Sequence, residues 1–95
     1  MIEALRPRPG SGIAIFGAGA SGLSAVMAAR LVGCYPIIAV DIKASRLNLA
    51  EQLGATHSID PDGPDPVEAI RNITHGVEFA VETTHGRHML RAWKR

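Results

Sequence analysis

The sequence predicts an α/β fold: a partial doubly wound parallel sheet of about four strands, in the order 3-2-1-4, with helices on both faces. Three observations carry that expectation. An apolar run over residues 13–16 breaks into three spaced glycines, Gly17, Gly19 and Gly22, and then opens a helical pattern. A second apolar run over residues 36–40 ends in Asp41. Strand-like and helix-like stretches then alternate to the fourth strand, a pattern that right-handed crossovers turn into an open twisted sheet.

Residues 1–12 read as an entry segment, because Pro7, Pro9, Gly10 and Gly12 prevent a helix and deliver the chain to the first strand. Ile13-Ala-Ile-Phe16 has the length and apolarity of a buried strand. Leu23, Val26, Met27 and Leu31 recur at spacings of three and four, which predicts a helix from about Ala20 to Val32. Gly33 suits the left-handed residue that closes it. The second strand follows over residues 36–40, apolar throughout, as a strand packed on both faces must be.

The stretch over residues 42–54 holds the second helix, with Ser45 as its cap, Leu47, Ala50 and Leu53 as its apolar side and Gly54 as its end. Residues 55–59 form a short third strand suited to the sheet edge, in which His57 reads as a partly exposed structural residue. The turn cluster Asp60-Pro-Asp-Gly-Pro-Asp-Pro66 leads into a third helix over residues 67–74, capped by Asp65 with Pro66 at its first position. Gly76 releases the chain into a fourth strand over residues 77–82, and Thr83-Thr-His-Gly86 makes its exit turn. A last helix is expected from near Arg87 onward.

Ninety-five residues allow one compact domain, and 46% apolar residues is an ordinary globular share. A net charge of +1 offers no electrostatic argument for nucleic acid or an anionic membrane. No apolar run approaches the roughly 20 residues of a membrane span, and the start lacks the long apolar centre of a signal peptide. The expectation is therefore a cytoplasmic protein with no nucleic-acid and no membrane partner. The basic end, residues 87–95 with Trp93, reads as a solvated last helix or as residues read past a break in the gene. The single cysteine, Cys34, cannot make an internal disulfide or a multi-thiolate metal site and is expected to be inert packing.

Between the first strand and the first helix stands G-x-G-x-x-G. Gly17 allows the tight turn, Gly19 removes a side chain where a pyrophosphate must approach, and Gly22 lets the helix lie close on the sheet. The turn residues Gly17, Ala18, Gly19, Ala20, Ser21 and Gly22 then form a phosphate cradle. Its donors are unsatisfied amides at the positive end of a helix dipole, so it needs no basic side chain, and Ser21 adds a hydroxyl. A bare G-x-G-x-x-G also arises as a packing turn. Here it has the strand-turn-helix context and an acidic residue, Asp41, about 20 residues on, where a dinucleotide fold places its ribose carboxylate. Asp41 favours NAD over NADP, because a 2′-phosphate would meet a like charge at close range; Lys43 and Arg46 weaken that repulsion.

Four words in order, Gly17-Ala-Gly-Ala-Ser-Gly-Leu-Ser-Ala, Ile38-Ala-Val-Asp-Ile, Leu53-Gly-Ala-Thr-His and Asp65-Pro-Val-Glu-Ala-Ile-Arg, closely resemble the Rossmann coenzyme domain of zinc-dependent medium-chain alcohol dehydrogenases. The aryl-alcohol (benzyl alcohol) branch looks nearest, and the match covers about residues 5–84. The resemblance implies that Gly17, Gly19 and Gly22 take the pyrophosphate and Asp41 the adenosine ribose. It also implies that Arg46 meets that ribose from the other side and that Thr83 and Thr84 border the cofactor crevice. Two departures stand out: Ser21 where the family has a bulkier aliphatic residue, and His85 where it tends to have glycine.

The family's zinc chemistry finds no ligand set in this chain. A catalytic zinc needs three protein ligands and a structural one clustered cysteines, whereas His85 and His88 lack a third partner. Glu82 and Asp60 have no visible acid-base partner and read as solvated surface. The chain is thus expected to be a piece: an entry segment over residues 1–12 and a truncated NAD-binding domain over residues 13–95, not catalytic alone. Its fourth strand would expose Val77, Phe79 and Val81 along an unpaired edge, so self-association is expected unless residues 87–95 cover it. Two functions remain open. One is the NAD(H)-binding part of an alcohol dehydrogenase-like oxidoreductase; the other is a stand-alone adenine-dinucleotide binder or a different Rossmann nucleotide user.

Overall fold

The structure is a computed structural model and describes residues 8–62, 66–74, 77–83 and 89–92. Its elements run β1 (Ile13–Phe16), α1 (Ala20–Val32), β2 (Ile37–Val40), α2 (Ala44–Leu53), β3 (His57–Ile59), α3 (Pro66–Thr74), β4 (Phe79–Glu82) and β5 (Met89–Ala92). They build one sheet in the order β3-β2-β1-β4-β5. The first four strands are parallel and in the expected order, with Ile13 beside both Ile37 and Phe79, and Ile38 beside His57.

Alternation along each strand feeds two cores, as a sheet covered on both faces requires. Ile13, Ile15, Ile37, Ala39 and Val81 join Ala25, Val26 and Ala29 of α1 and Ala50 of α2 in the larger core. Ala14, Ile38, Val40 and Ile59 turn the other way and meet Ile70 of α3. Helices α1 and α2 therefore lie on one face and α3 on the other. Ile13, Ile15, Ile38, Ile70, Val26 and Val81 are wholly enclosed. Each such side chain contributes about 1.5–3 kcal/mol relative to exposure.

Helix α1 has the expected bounds, and Gly33 closes it at φ 93°, donating its N–H to the carbonyls of Ala29 and Arg30. The entry segment is stitched to this closure: Gly10 N–H donates to Gly33 O at 2.8 Å, and Tyr35 N–H to Ser11 O at 2.9 Å. Cys34 is buried, as inert packing demands; burial pushes its thiol pKa up, and the Glu78 carboxylate adds to that.

Three expectations are corrected. Ser45 does not cap α2: the N-cap is Lys43, with no side-chain cap, and Ser45 lies within the first turn. The turn is shaped instead by Asp41, whose Oδ1 accepts the Lys43 N–H at 2.9 Å. Near the end of the chain, Met89–Ala92 is a strand rather than part of a last helix. It pairs antiparallel with β4, Phe79 opposite Ala92 and Glu82 opposite Met89, so the fourth strand does not present the unpaired edge from which self-association was expected. The open edge of β4 presents unpaired backbone donors and acceptors, which a strand can meet and a helix, whose backbone bonds are internal, cannot. The third correction is small: β2, β3 and β4 begin at Ile37, His57 and Phe79, later than apolarity alone suggests. The Asp65 cap, the Gly76 release, Thr84, His85, His88 and Trp93 lie outside the described residues.

Candidate functional site

The site forms where β1, β2 and β4 end together. In a doubly wound sheet the crevice opens where the chain order reverses, here between β1 and β4, at the carboxyl ends of the strands. A cleft of about 510 Å³ lies there, walled by Phe16, Gly17, Gly19, Ala20, Ser21, Asp41, Arg46, Glu82 and Thr83 among others.

The glycine turn occupies one side of it, and the three glycines do different work. Gly17 adopts φ 99°, a conformation L side chains rarely take, as the chain leaves β1. Gly22 is a matter of contact: a Cβ there would sit 1.7 Å from the Gly17 carbonyl oxygen, so α1 reaches its place on the sheet only without one. At Gly19 a Cβ would meet nothing within 4 Å, so no protein contact demands the glycine. That open space faces the cleft at the N-cap of α1, where the first helical amides have no partner within the helix.

Asp41, at the end of β2, is buried on the cleft's other side. Its Oδ2 accepts the Ala18 N–H at 2.7 Å, its Oδ1 accepts the Lys43 N–H, and the Arg46 guanidinium stands 3.6 Å from Oδ2. Burial by itself raises the carboxyl pKa, but the two amide hydrogen bonds and Arg46 outweigh it and hold the group below its ordinary value. Asp41 is therefore an anion at neutral pH. A carboxylate offers about four lone-pair sites, so two bound amides leave capacity for hydroxyl donors from the cleft.

From β4, Thr83 closes the turn's opposite flank. Its N–H donates to Phe16 O at 3.0 Å, and its Oγ1 lies 3.1 Å from Phe16 O and 3.0 Å from Gly17 O. The structure thus gathers Gly17, Gly19, Ala20, Ser21, Asp41, Arg46 and Thr83 around one cleft, with Ala18 and Gly22 directly behind it. Glu82 is corrected: it lines the cleft wall half-buried rather than standing as solvated surface. Its position at the carboxyl end of a parallel strand was the signal that was available. Phe16, Val40, Ile42 and Pro61 also line the cleft and were not singled out. The first three adjoin the turn or Asp41 in sequence, whereas Pro61 arrives from the loop after β3, which spacing does not place.

Asp60 stays exposed and turns its own loop, accepting the Asp62 N–H at 2.9 Å. His57 is remote from the cleft, with Nδ1 at 2.9 Å from Thr56 Oγ1 and its ring tilted against Tyr35. Among the described residues no group of three or more His, Cys, Asp or Glu side chains is placed to hold a metal ion. Zinc does not fit the described side chains.

Comparison with known proteins then decides the family. The family model described as zinc-binding dehydrogenase matches residues 20–93, most of the chain and all of the strands and helices after β1. This chain belongs to the zinc-binding dehydrogenase family. Alcohol dehydrogenase 1 of Pisum sativum is 44% identical over an 86-residue alignment that covers 87% of this chain and 23% of that protein. The crystal structure of benzyl alcohol dehydrogenase from Acinetobacter calcoaceticus superposes with a TM-score of 0.84 at 56% identity, again over 87% of this chain and 23% of that one. A zinc-binding dehydrogenase from Sinorhizobium meliloti 1021, solved bound to NADP, gives a TM-score of 0.75 at 39% identity, covering 79% of this chain and 23% of its own. The family is that of the zinc-dependent medium-chain alcohol dehydrogenases. This chain spans about a quarter of such relatives' length and is a fragment of their Rossmann domain.

Proposed function

We propose that this zinc-binding dehydrogenase fragment binds NAD(H). Its pyrophosphate rests on the turn over residues 17–22 and its adenosine ribose on Asp41, with Arg46 alongside the ribose and Thr83 and Thr84 bordering the crevice. The observation that carries the reading is Gly19: protein packing leaves its Cβ position open, and that opening lies at a helix N-terminus facing a cleft with a buried carboxylate opposite. Asp41 favours the free ribose hydroxyls of NAD. A 2′-phosphate there would meet a group held as an anion, and unit charges 4 Å apart repel by about 4 kcal/mol at intermediate dielectric. Arg46 offsets this only in part, because it already stands beside Asp41. The NADP in the Sinorhizobium relative makes this preference the point to test.

In this reading residues 13–95 form the nucleotide-binding unit and residues 1–12 its entry segment. The whole protein is a cytoplasmic alcohol dehydrogenase-like oxidoreductase exchanging hydride between an alcohol, of the aryl class in the branch it resembles, and NAD. Bound NAD supplies the hydride acceptor; what the residues described here do is bind and orient its adenosine half. Catalysis by this chain alone is not expected, since zinc does not fit the side chains described. Fluorescence titration with NADH and NADPH, alongside FAD and S-adenosylmethionine, tests the assignment. Preferential NADH binding supports it, and saturable binding of either of the last two instead would transfer the chain to another class of Rossmann user.

A further inference from the structure

One peptide unit in the site is held at both ends, by side chains from both strands that flank β1. The Gly17 carbonyl accepts from Thr83 Oγ1 of the residue following β4 at 3.0 Å, sharing its one proton with the Phe16 carbonyl at 3.1 Å, and the Ala18 N–H of the same peptide donates to Asp41 Oδ2 at the end of β2 at 2.7 Å. The Gly17 N–H is also committed, to Val40 O at 2.8 Å, and Gly22 is packed against the Gly17 carbonyl from behind.

We propose that Thr83 and Asp41 clamp the Gly17–Ala18 peptide, so that Thr83 is a positioning residue which sets pyrophosphate affinity without touching the phosphates. The clamp has two consequences. The Ala18 N–H is spent inside the protein and is not a phosphate donor, which leaves Gly19, Ala20, Ser21 and Gly22 as the amides that meet the anion. The peptide cannot rotate to present its carbonyl oxygen to the cleft, where that oxygen would repel the phosphates. Asp41 thereby has two tasks, one on the ribose and one on the turn, and Thr83 has only the second.

This inference rests on the nucleotide-binding reading, and its test separates the two. Adenosine, which lacks phosphate, ADP and NADH are titrated against the 95-residue protein and its Thr83→Val and Thr83→Ser variants. Loss of one hydrogen bond that orders the turn is expected to weaken ADP and NADH by the same factor, roughly three- to ten-fold. Adenosine affinity should stay within about two-fold, and Thr83→Ser should restore ADP binding by returning the hydroxyl. Unchanged ADP affinity in Thr83→Val overturns the clamp. So does a loss confined to NADH, which would mean direct contact with the nicotinamide half. Amide hydrogen exchange followed by NMR on the unsubstituted protein gives a second readout, independent of whether a variant folds. The Ala18 amide should be strongly protected without ligand, while the Ala20 and Ser21 amides should gain protection only with ADP. A freely exchanging Ala18 amide refutes the clamp. Failure of the unsubstituted protein to bind ADP and NADH, with Ala18 still protected, would defeat the nucleotide reading instead and take the proposed consequence for affinity with it.

Discussion

Replacing Gly22 and Gly19 by alanine in turn separates what the glycine turn does for the fold from what it does for the ligand. At position 22 the added Cβ would stand 1.7 Å from the Gly17 carbonyl oxygen, against a limit of 3.0 Å below which something must shift. The obstacle is backbone, and that backbone is pinned by Val40, Asp41 and Thr83, so helix α1 has to lift off the sheet by about 1.3 Å or more. Overpacking of this kind costs typically 1–3 kcal/mol, and lifting α1 also opens the contacts of Ala25, Val26 and Ala29 beneath it. Alanine recovers about 1 kcal/mol through its helix propensity. The net expectation is a destabilisation of about 2 kcal/mol, or a fall in Tm of roughly 8–16 °C for a chain of this size. At position 19 an added Cβ meets nothing, and φ is an ordinary −75°. Stability should change by no more than about 0.5 kcal/mol, since the modest loss of a glycine N-cap and the reduced freedom of the unfolded chain act in opposite directions. NADH binding, however, should weaken at least ten-fold, because the methyl fills the space the pyrophosphate needs. Urea denaturation followed by circular dichroism measures the first effect and NADH fluorescence the second. If Gly22→Ala is as stable as the parent, the close approach of α1 to the turn is wrong; if Gly19→Ala binds NADH normally, the phosphate does not lie there.

Asp41→Ser should weaken NADH by about ten-fold or more, the worth of a hydrogen bond to a charged group, and should lower the ratio of NADH to NADPH affinity, since the loss at the turn is common to both; an unchanged ratio removes Asp41 from the ribose site. Because the folded pKa of Asp41 lies below its unfolded value near 3.8, its contribution to stability is present above that pH and is lost as the pH falls through the folded pKa. Asp41→Asn should therefore flatten the rise of urea stability with pH below about pH 4, and an identical pH profile for parent and variant would show that the carboxylate is not held by the amides of Ala18 and Lys43. Ending the chain before Met89 removes β5 and uncovers β4, so the shortened protein should associate at lower concentration than the parent by light scattering. Equal behaviour of the two would show that β5 does not protect that edge.

What the order of residues determined by itself is the local part. Three glycines at fixed spacing, an apolar four-residue run before them and a 3.6-period run after them specify strand, turn and helix through contacts a few residues apart; the bounds of α1 and its closure at Gly33 follow from the same short-range rules. The carboxylate of Asp41 was legible for the same reason, standing at the end of an all-apolar strand. What only the tertiary structure decided concerns groups that meet across the sheet. Asp41 reaches back 23 residues to Ala18, and Thr83 reaches back 66 to Gly17. No periodicity encodes those bonds, because they depend on β2 and β4 lying on either side of β1. The Ser45 expectation failed on the same ground, since the turn into α2 is organised by Asp41, and the last helix gave way to β5 because pairing along an edge is a property of the sheet rather than of the segment. Hydrogen bonds between distant residues are settled by where the folded backbone leaves donors and acceptors facing one another, and that is known only once the strands are side by side.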